Sequence, residues 1–171
     1  MASENTFYML FKLAIGTEKT AEEFYSGLAE KFSHLPEIST FWLTLADDEK
    51  HHAQELEKIQ DSLSPSQLST PADPLTLQKA KQNRHISVLS LLNSVKNLND
   101  AYEIAHQLEY SEVNVVFGFL MTRFISSEQQ KEFVGSEIKV HQARLLEFFQ
   151  TFGGAEWRKG IEVSPEATAV N

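Results

Sequence analysis

The sequence predicts an all-α protein, a four-helix bundle in which one long crossover connects the second helix to the third. Three features of the 171 residues carry that expectation. Four segments bear an apolar stripe at alternating three- and four-residue steps, the spacing that gathers side chains on one helix face. The first and last links between them are short and the middle one is long. Each stripe is interrupted near its middle by Glu, or by Glu and His, so the face that turns toward the core carries charge.

The first helix is expected from about Ser3 or Asn5 to Phe32, on the stripe Phe11, Ala14, Glu18, Ala21, Tyr25, Leu28 and Phe32. Ser33 to Pro36 makes the turn, because proline suits a first helical position and not an interior one. The second helix extends to about Ser62 on Leu35, Ile38, Trp42, Leu45, Glu49, His52, Leu56 and Ile59. From Asp61 to Asp73 the composition shifts to Ser, Pro, Thr and Asp, which reads as a loop. Leu75 to Val95 has room for one or two short helical turns. The third helix spans about Asn97 to Phe124, on Leu98, Tyr102, Ala105, Glu109, Glu112, Val116 and Phe119. Ser126 or Ser127 caps the fourth, with Gln129 or Gln130 completing a capping box, and Gly153-Gly154 ends it near Phe152. Residues 1–153 thus form the bundle and 154–171 a C-terminal tail, poorly ordered beyond Trp157. A single long crossover is the ferritin-like arrangement. The two halves also echo each other, Ala14-x-x-x-Glu18 in Ala105-x-x-x-Glu109, and Glu49 to Leu56 in Glu137 to Leu145.

A chain of this length suits one domain with a sizeable core, and 42% hydrophobic with 23% charged residues is ordinary for a soluble globular protein. The net charge of -9 and pI near 5.1 argue against nucleic acid and anionic membrane surfaces as partners. With no cysteine, disulfides, iron–sulfur clusters and a thiolate nucleophile are excluded, so a metal must be held by oxygen and nitrogen. The apolar run Phe7 to Ile15 is interrupted by Lys12 and lacks a cleavage site, and no stretch approaches about 18 apolar residues, so neither a signal peptide nor a membrane span is expected. The expected compartment is the cytoplasm.

The inward carboxylates decide the functional reading. An unpartnered buried carboxylate costs several kcal/mol, against a domain stability of roughly 5–15 kcal/mol. Glu18, Glu49, Glu109 and Glu112, with Glu137 a candidate fifth, share these stripes with His52 and His141 and with no inward Lys or Arg. A pair of divalent metal ions is the economical neutraliser. Glu49-x-x-His52 places both side chains on one helix face, and a Glu from each of two helices plus Glu-x-x-His from the other two is the di-metal carboxylate pattern. Oxygen and imidazole donors suit iron or manganese, so two iron ions are expected, with manganese or zinc able to substitute. His51 and His85 read as surface residues and His34 as a helix-end residue, while His106 is either a neighbour of the site or solvated.

The chain resembles the rubrerythrin family from about Phe7 to Phe152. The matching residues are Glu18 with Tyr25, the string Asp48-Glu49-Lys50-His51-His52-Ala53, Glu109-x-x-Glu112, and His141. The resemblance implies a ferritin-like fold and a non-haem di-iron oxidoreductase that reduces hydrogen peroxide in response to oxidative stress. The metal ligands implied are Glu18, Glu49, His52, Glu109, Glu112, Glu137 and His141. Glu18, Glu49, Glu109, Glu112 and Tyr25 form the catalytic set, Tyr25 through a hydrogen bond to a metal-bound carboxylate. Partners would be hydrogen peroxide or oxygen as substrate, a separate electron-donor protein, and a second copy of the chain in a homodimer or larger assembly. The alternatives are a ferritin-like protein that oxidises and binds iron, and a bundle with a degenerate site.

Two departures stand out. The absence of cysteine removes the rubredoxin domain that rubrerythrins carry, so the chain resembles the rubredoxin-free relatives. In the fourth helix Ile138 stands where the family has Glu three residues before the His, and Glu137 lies one place away, about 100° around a regular helix. Either a π-bulge between Glu137 and His141 brings Glu137 onto the seam, or Glu137 is no ligand and four carboxylates balance two divalent ions.

Overall fold

A computed structural model of the chain describes residues 5–82, 87–110, 112–125, 127–152 and 154–164, with the side chains of residues 112–114, 129–131, 133–135, 137, 138, 155 and 157 outside the description. Among the described residues, helices α1 (Phe7–Lys31) and α2 (Pro36–Ser62) form the most extensive pair. Pro36 opens α2, as its fixed backbone angle favours. The turn closes through Leu35 N donating to Phe32 O at 2.9 Å, and Ser39 Oγ donates to Ala29 O at 2.9 Å.

The crossover is more structured than a loop. It contains α3 (Pro65–Leu68), α4 (Pro74–Gln82) and α5 (Val88–Ser94), and α3 starts on a capping box between Ser64 and Gln67. The chain's beginning is sewn to it, Phe7 N donating to Thr70 O at 3.1 Å and Ala72 N to Asn5 O at 3.0 Å. Helix α5 seats on α1 at Gly27, where an added Cβ would lie 2.4 Å from Leu92 Cδ1. A side chain at position 27 would require Leu92 to move.

The third bundle helix is not continuous. Helix α6 (Leu98–Glu109) ends where Tyr110, at φ -97° and ψ 8°, leaves helical geometry, and α7 (Glu112–Phe124) follows. Regular periodicity through Glu109 and Glu112 hid this interruption. Gln142 Nε2 donates to the Glu109 carbonyl at 3.1 Å, at the last residue of α6. Helix α8 (Glu128–Thr151) follows. Its N-cap is Ser127, as expected, but no side-chain capping bond forms there; Gln129 and Gln130 have side chains outside the described set.

The segment expected as a tail is bound to the bundle as far as Ser164. After α9 (Ala155–Lys159), Ile161 O accepts from Leu98 N at 2.9 Å, Val163 N donates to Lys96 O at 3.1 Å, and Ser164 N donates to Lys31 O at 2.7 Å. Val163 is buried. Residues 165–171 lie outside the described residues.

Two apolar clusters fill the bundle. One gathers Phe24, Tyr25, Leu28, Trp42, Leu45, Leu98, Ala105, Leu145 and Phe149. The other gathers Leu10, Phe11, Leu56, Leu77, Val116, Phe117 and Leu120. Along each chain segment the ionisable positions fall between members of the two clusters: Glu18 between Ile15 and Ala21, Glu49 and His52 between Ala46 and Leu56, Glu109 between Ala105 and Val116. The polar residues therefore form a layer closed by hydrocarbon on both sides.

Candidate metal centre

Glu18, Glu49, His52, Glu109 and His141 are all buried, none more than 7% exposed. They come from α1, α2, α6 and α8, one stripe each, so the helical periodicity that buries the neighbouring leucines also buries these groups. Glu49 occupies the middle. Its Oε2 lies 3.1 Å from His52 Nδ1 and its Oε1 lies 3.6 Å from His141 Nδ1. Glu109 Oε2 is 3.6 Å from the same His141 nitrogen, and Glu18 Oε2 is 3.8 Å from His52 Nδ1. The result is two half-sites, Glu18 with His52 and Glu109 with His141, divided by one carboxylate facing both. Ligand atoms of Glu49, His52 and His141 all lie within 4.8 Å of one another, a spacing one ion can span.

Tyr25 completes the layer. Its hydroxyl, fully buried, donates to Glu109 Oε1 at 2.5 Å. Burial first, then the charge of Glu109 and Glu49, hold the phenol well above its ordinary pKa, so it remains a donor. Behind it the ring stacks on Trp42 at 5.9 Å between centroids. His52 is backed by Phe117 at 4.6 Å.

The electrostatics are those of buried carboxylates crowded around imidazoles. Burial, reinforced by the charge of Glu18, raises the Glu49 pKa to about 7 against the opposing hydrogen bond from His52. For His52 burial lowers the pKa, but hydrogen bonds to Glu18 and Glu49 outweigh it and lift the value to about 10. Glu18 Oε1 is buried with no hydrogen-bond partner among the described residues. A buried oxygen of this kind costs free energy unless something positive meets it. The donor set, three carboxylates and two imidazoles with no sulfur, fits a pair of hard-to-borderline divalent ions.

Of the other residues expected at the site, Glu112 opens α7 and Glu137 sits within α8, but both side chains lie outside the described residues. Helix α8 is α-helical throughout, with no π turn between Glu137 and His141. Positions four apart on such a helix are separated by only about 40° around the axis, so a regular helix does not by itself turn Glu137 away from His141. His34, His51 and His106 are exposed, and His85 lies outside the described residues. Periodicity did not reveal two contacts beside the site: Gln142 on the Glu109 carbonyl, and Arg144 Nη1 donating to Asp48 Oδ2. Both join residues far apart in sequence and carry no local signature.

Among the described residues no helix is long and apolar enough to cross a membrane. The family model described as Rubrerythrin matches residues 10–134, a match that ends in α8 before His141. A solved structure from Thermotoga maritima, of a protein described as ferritin-like and diiron-carboxylate, is similar to this chain at 21% identity and a TM-score of 0.57, covering 85% of this chain and 95% of that one. At that identity the likeness supports the fold. No curated protein matches the chain significantly.

Proposed function

Because the chain belongs to the rubrerythrin family, we propose that it is a non-haem di-iron oxidoreductase that reduces hydrogen peroxide with electrons from a separate donor protein. The observation that carries this reading is the division of Glu49 between His52 and His141, one carboxylate oxygen toward each. That geometry would suit two ions, because Glu18 beside His52 and Glu109 beside His141 extend the Glu49–His52–His141 cluster to either side.

Glu18 and His52 would hold one ion and Glu109 and His141 the other, with Glu49 between them and Glu112 and Glu137 as the remaining ligands. When bound, a pair of redox-active ions supplies the electrons that cleave the peroxide O–O bond. The protein's own contribution is to hold the ligands still and keep water out. Apolar clusters on both sides of the layer exclude bulk solvent, which strengthens every charge interaction inside. Tyr25 keeps its proton on the phenol oxygen and orients Glu109 by the short hydrogen bond.

The test is metal analysis of protein purified without chelator, followed by consumption of hydrogen peroxide and of oxygen by the reduced form. About two ions per chain and faster peroxide than oxygen consumption are expected. Glu49→Ala and His52→Ala should each abolish stable di-metal binding, and wild-type metal content in both variants would remove the assignment. If peroxide does not react, but added Fe(II) is oxidised and retained at many ions per chain, the protein is an iron-oxidising, iron-binding one instead.

A further inference from the structure

We infer that Gln142 is a positioning residue for the metal centre, setting the register of α8 so that His141 meets Glu49 and Glu109 together; this rests on the di-metal reading above. Two consecutive residues of α8 grip Glu109 at opposite ends. His141 Nδ1 lies 3.6 Å from its carboxylate, and Gln142 Nε2 donates to its main-chain carbonyl at 3.1 Å. The second contact falls at the last residue of α6.

The geometry links a backbone feature to a ligand position. Glu109 is the last residue of α6, so its carboxylate is carried by the backbone that Gln142 contacts. Gln142 fixes that backbone from α8, and in doing so fixes α8 against α6. On the other flank Arg144 pairs with Asp48, next to Glu49. That pair is about one-third exposed on each side, so it is screened and secondary. Gln142 bonds Glu109 itself, and it sits beside the only imidazole that α8 brings to the site among the described residues.

Functional geometry tolerates displacements of well under 1 Å, and outer partners of metal ligands commonly change metal affinity about 10–100-fold. The experiment is an anaerobic titration of the metal-free full chain with Co(II), a spectroscopic stand-in for Fe(II), in wild type, Gln142→Ala, Gln142→Glu and Gln142→Arg. Wild type should take two equivalents. Gln142→Ala and Gln142→Glu, which cannot donate, should weaken one equivalent about 10–100-fold while the other and the metal-free melting temperature stay near wild type. Gln142→Arg, which restores an N–H donor, should recover most of the affinity.

Wild-type affinity for both equivalents in Gln142→Ala would overturn the inference. So would parallel weakening of both equivalents with a lower metal-free melting temperature, since that describes a general packing defect. A wild type that binds fewer than two equivalents overturns the di-metal reading and this inference with it. Lack of peroxidase activity in a protein that binds two equivalents bears on the reaction alone and leaves the role of Gln142 standing on the titration.

Discussion

The Tyr25 hydroxyl donates to Glu109 Oε1 at 2.5 Å, joining α1 to the last residue of α6 across 84 positions of sequence inside a closed apolar core. The bond satisfies a buried donor and a buried acceptor at once. Removing one partner leaves the other desolvated, which is costlier than the bond itself is stabilising.

Tyr25→Phe is therefore expected to destabilise the metal-free protein by about 1–3 kcal/mol. Urea unfolding should show a lower midpoint with an unchanged slope, because the ring still packs on Trp42. An unchanged midpoint would mean that Glu109 finds another donor and that Tyr25 does not orient it.

The metal-free protein should lose stability as pH rises. Glu49 is lifted to about 7 by burial and the neighbouring Glu18; a group whose folded pKa is raised contributes fully below its unfolded value and loses that contribution as pH climbs through the folded one. His52, lifted to about 10 by hydrogen bonds to Glu18 and Glu49 that outweigh its burial, has the same sign and extends the loss upward. In the presence of a chelator the melting temperature should fall by on the order of 5 °C or more between about pH 5 and 9. Added metal should oppose the fall, since binding requires Glu49 ionised and His52 neutral and so releases protons. A melting temperature that rises with pH in the chelated protein would contradict this account.

Glu137→Gln separates the two readings of α8. The helix is regular there, and the four-residue spacing to His141 keeps both positions within about 40° of one another around the axis. If Glu137 is a ligand, the variant should lose most of one metal equivalent, read by elemental analysis after gel filtration. Two fully retained ions would show that the carboxylates on α1, α2 and the α6–α7 segment suffice.

Shortening the chain to end at Gly160 should cost about 2–3 kcal/mol, because it removes buried Val163 and the backbone bonds of Ile161 and Val163 to the start of α6. Chemical denaturation of the shortened and full chains measures the difference. Equal stability would return residues 161–164 to the status of an idle tail.

The set of buried faces is a property of the helix repeat. Three-four periodicity depends only on the helix repeat, so the stripes through Glu18, Glu49, His52, Glu109 and His141 were legible without coordinates, as were the Pro36 turn and the long crossover. Their burial followed, because the flanking positions are the large apolar residues of the two clusters. Tertiary structure alone decided how the faces meet: which oxygen of Glu49 faces which His, where the helix through Glu109 stops, and that residues 161–164 pair with Lys31, Lys96 and Leu98. Those outcomes rest on contacts between residues distant in the chain, such as Gln142 on the Glu109 carbonyl. A local repeat carries no information about such contacts, because their free energy exists only once the helices have packed.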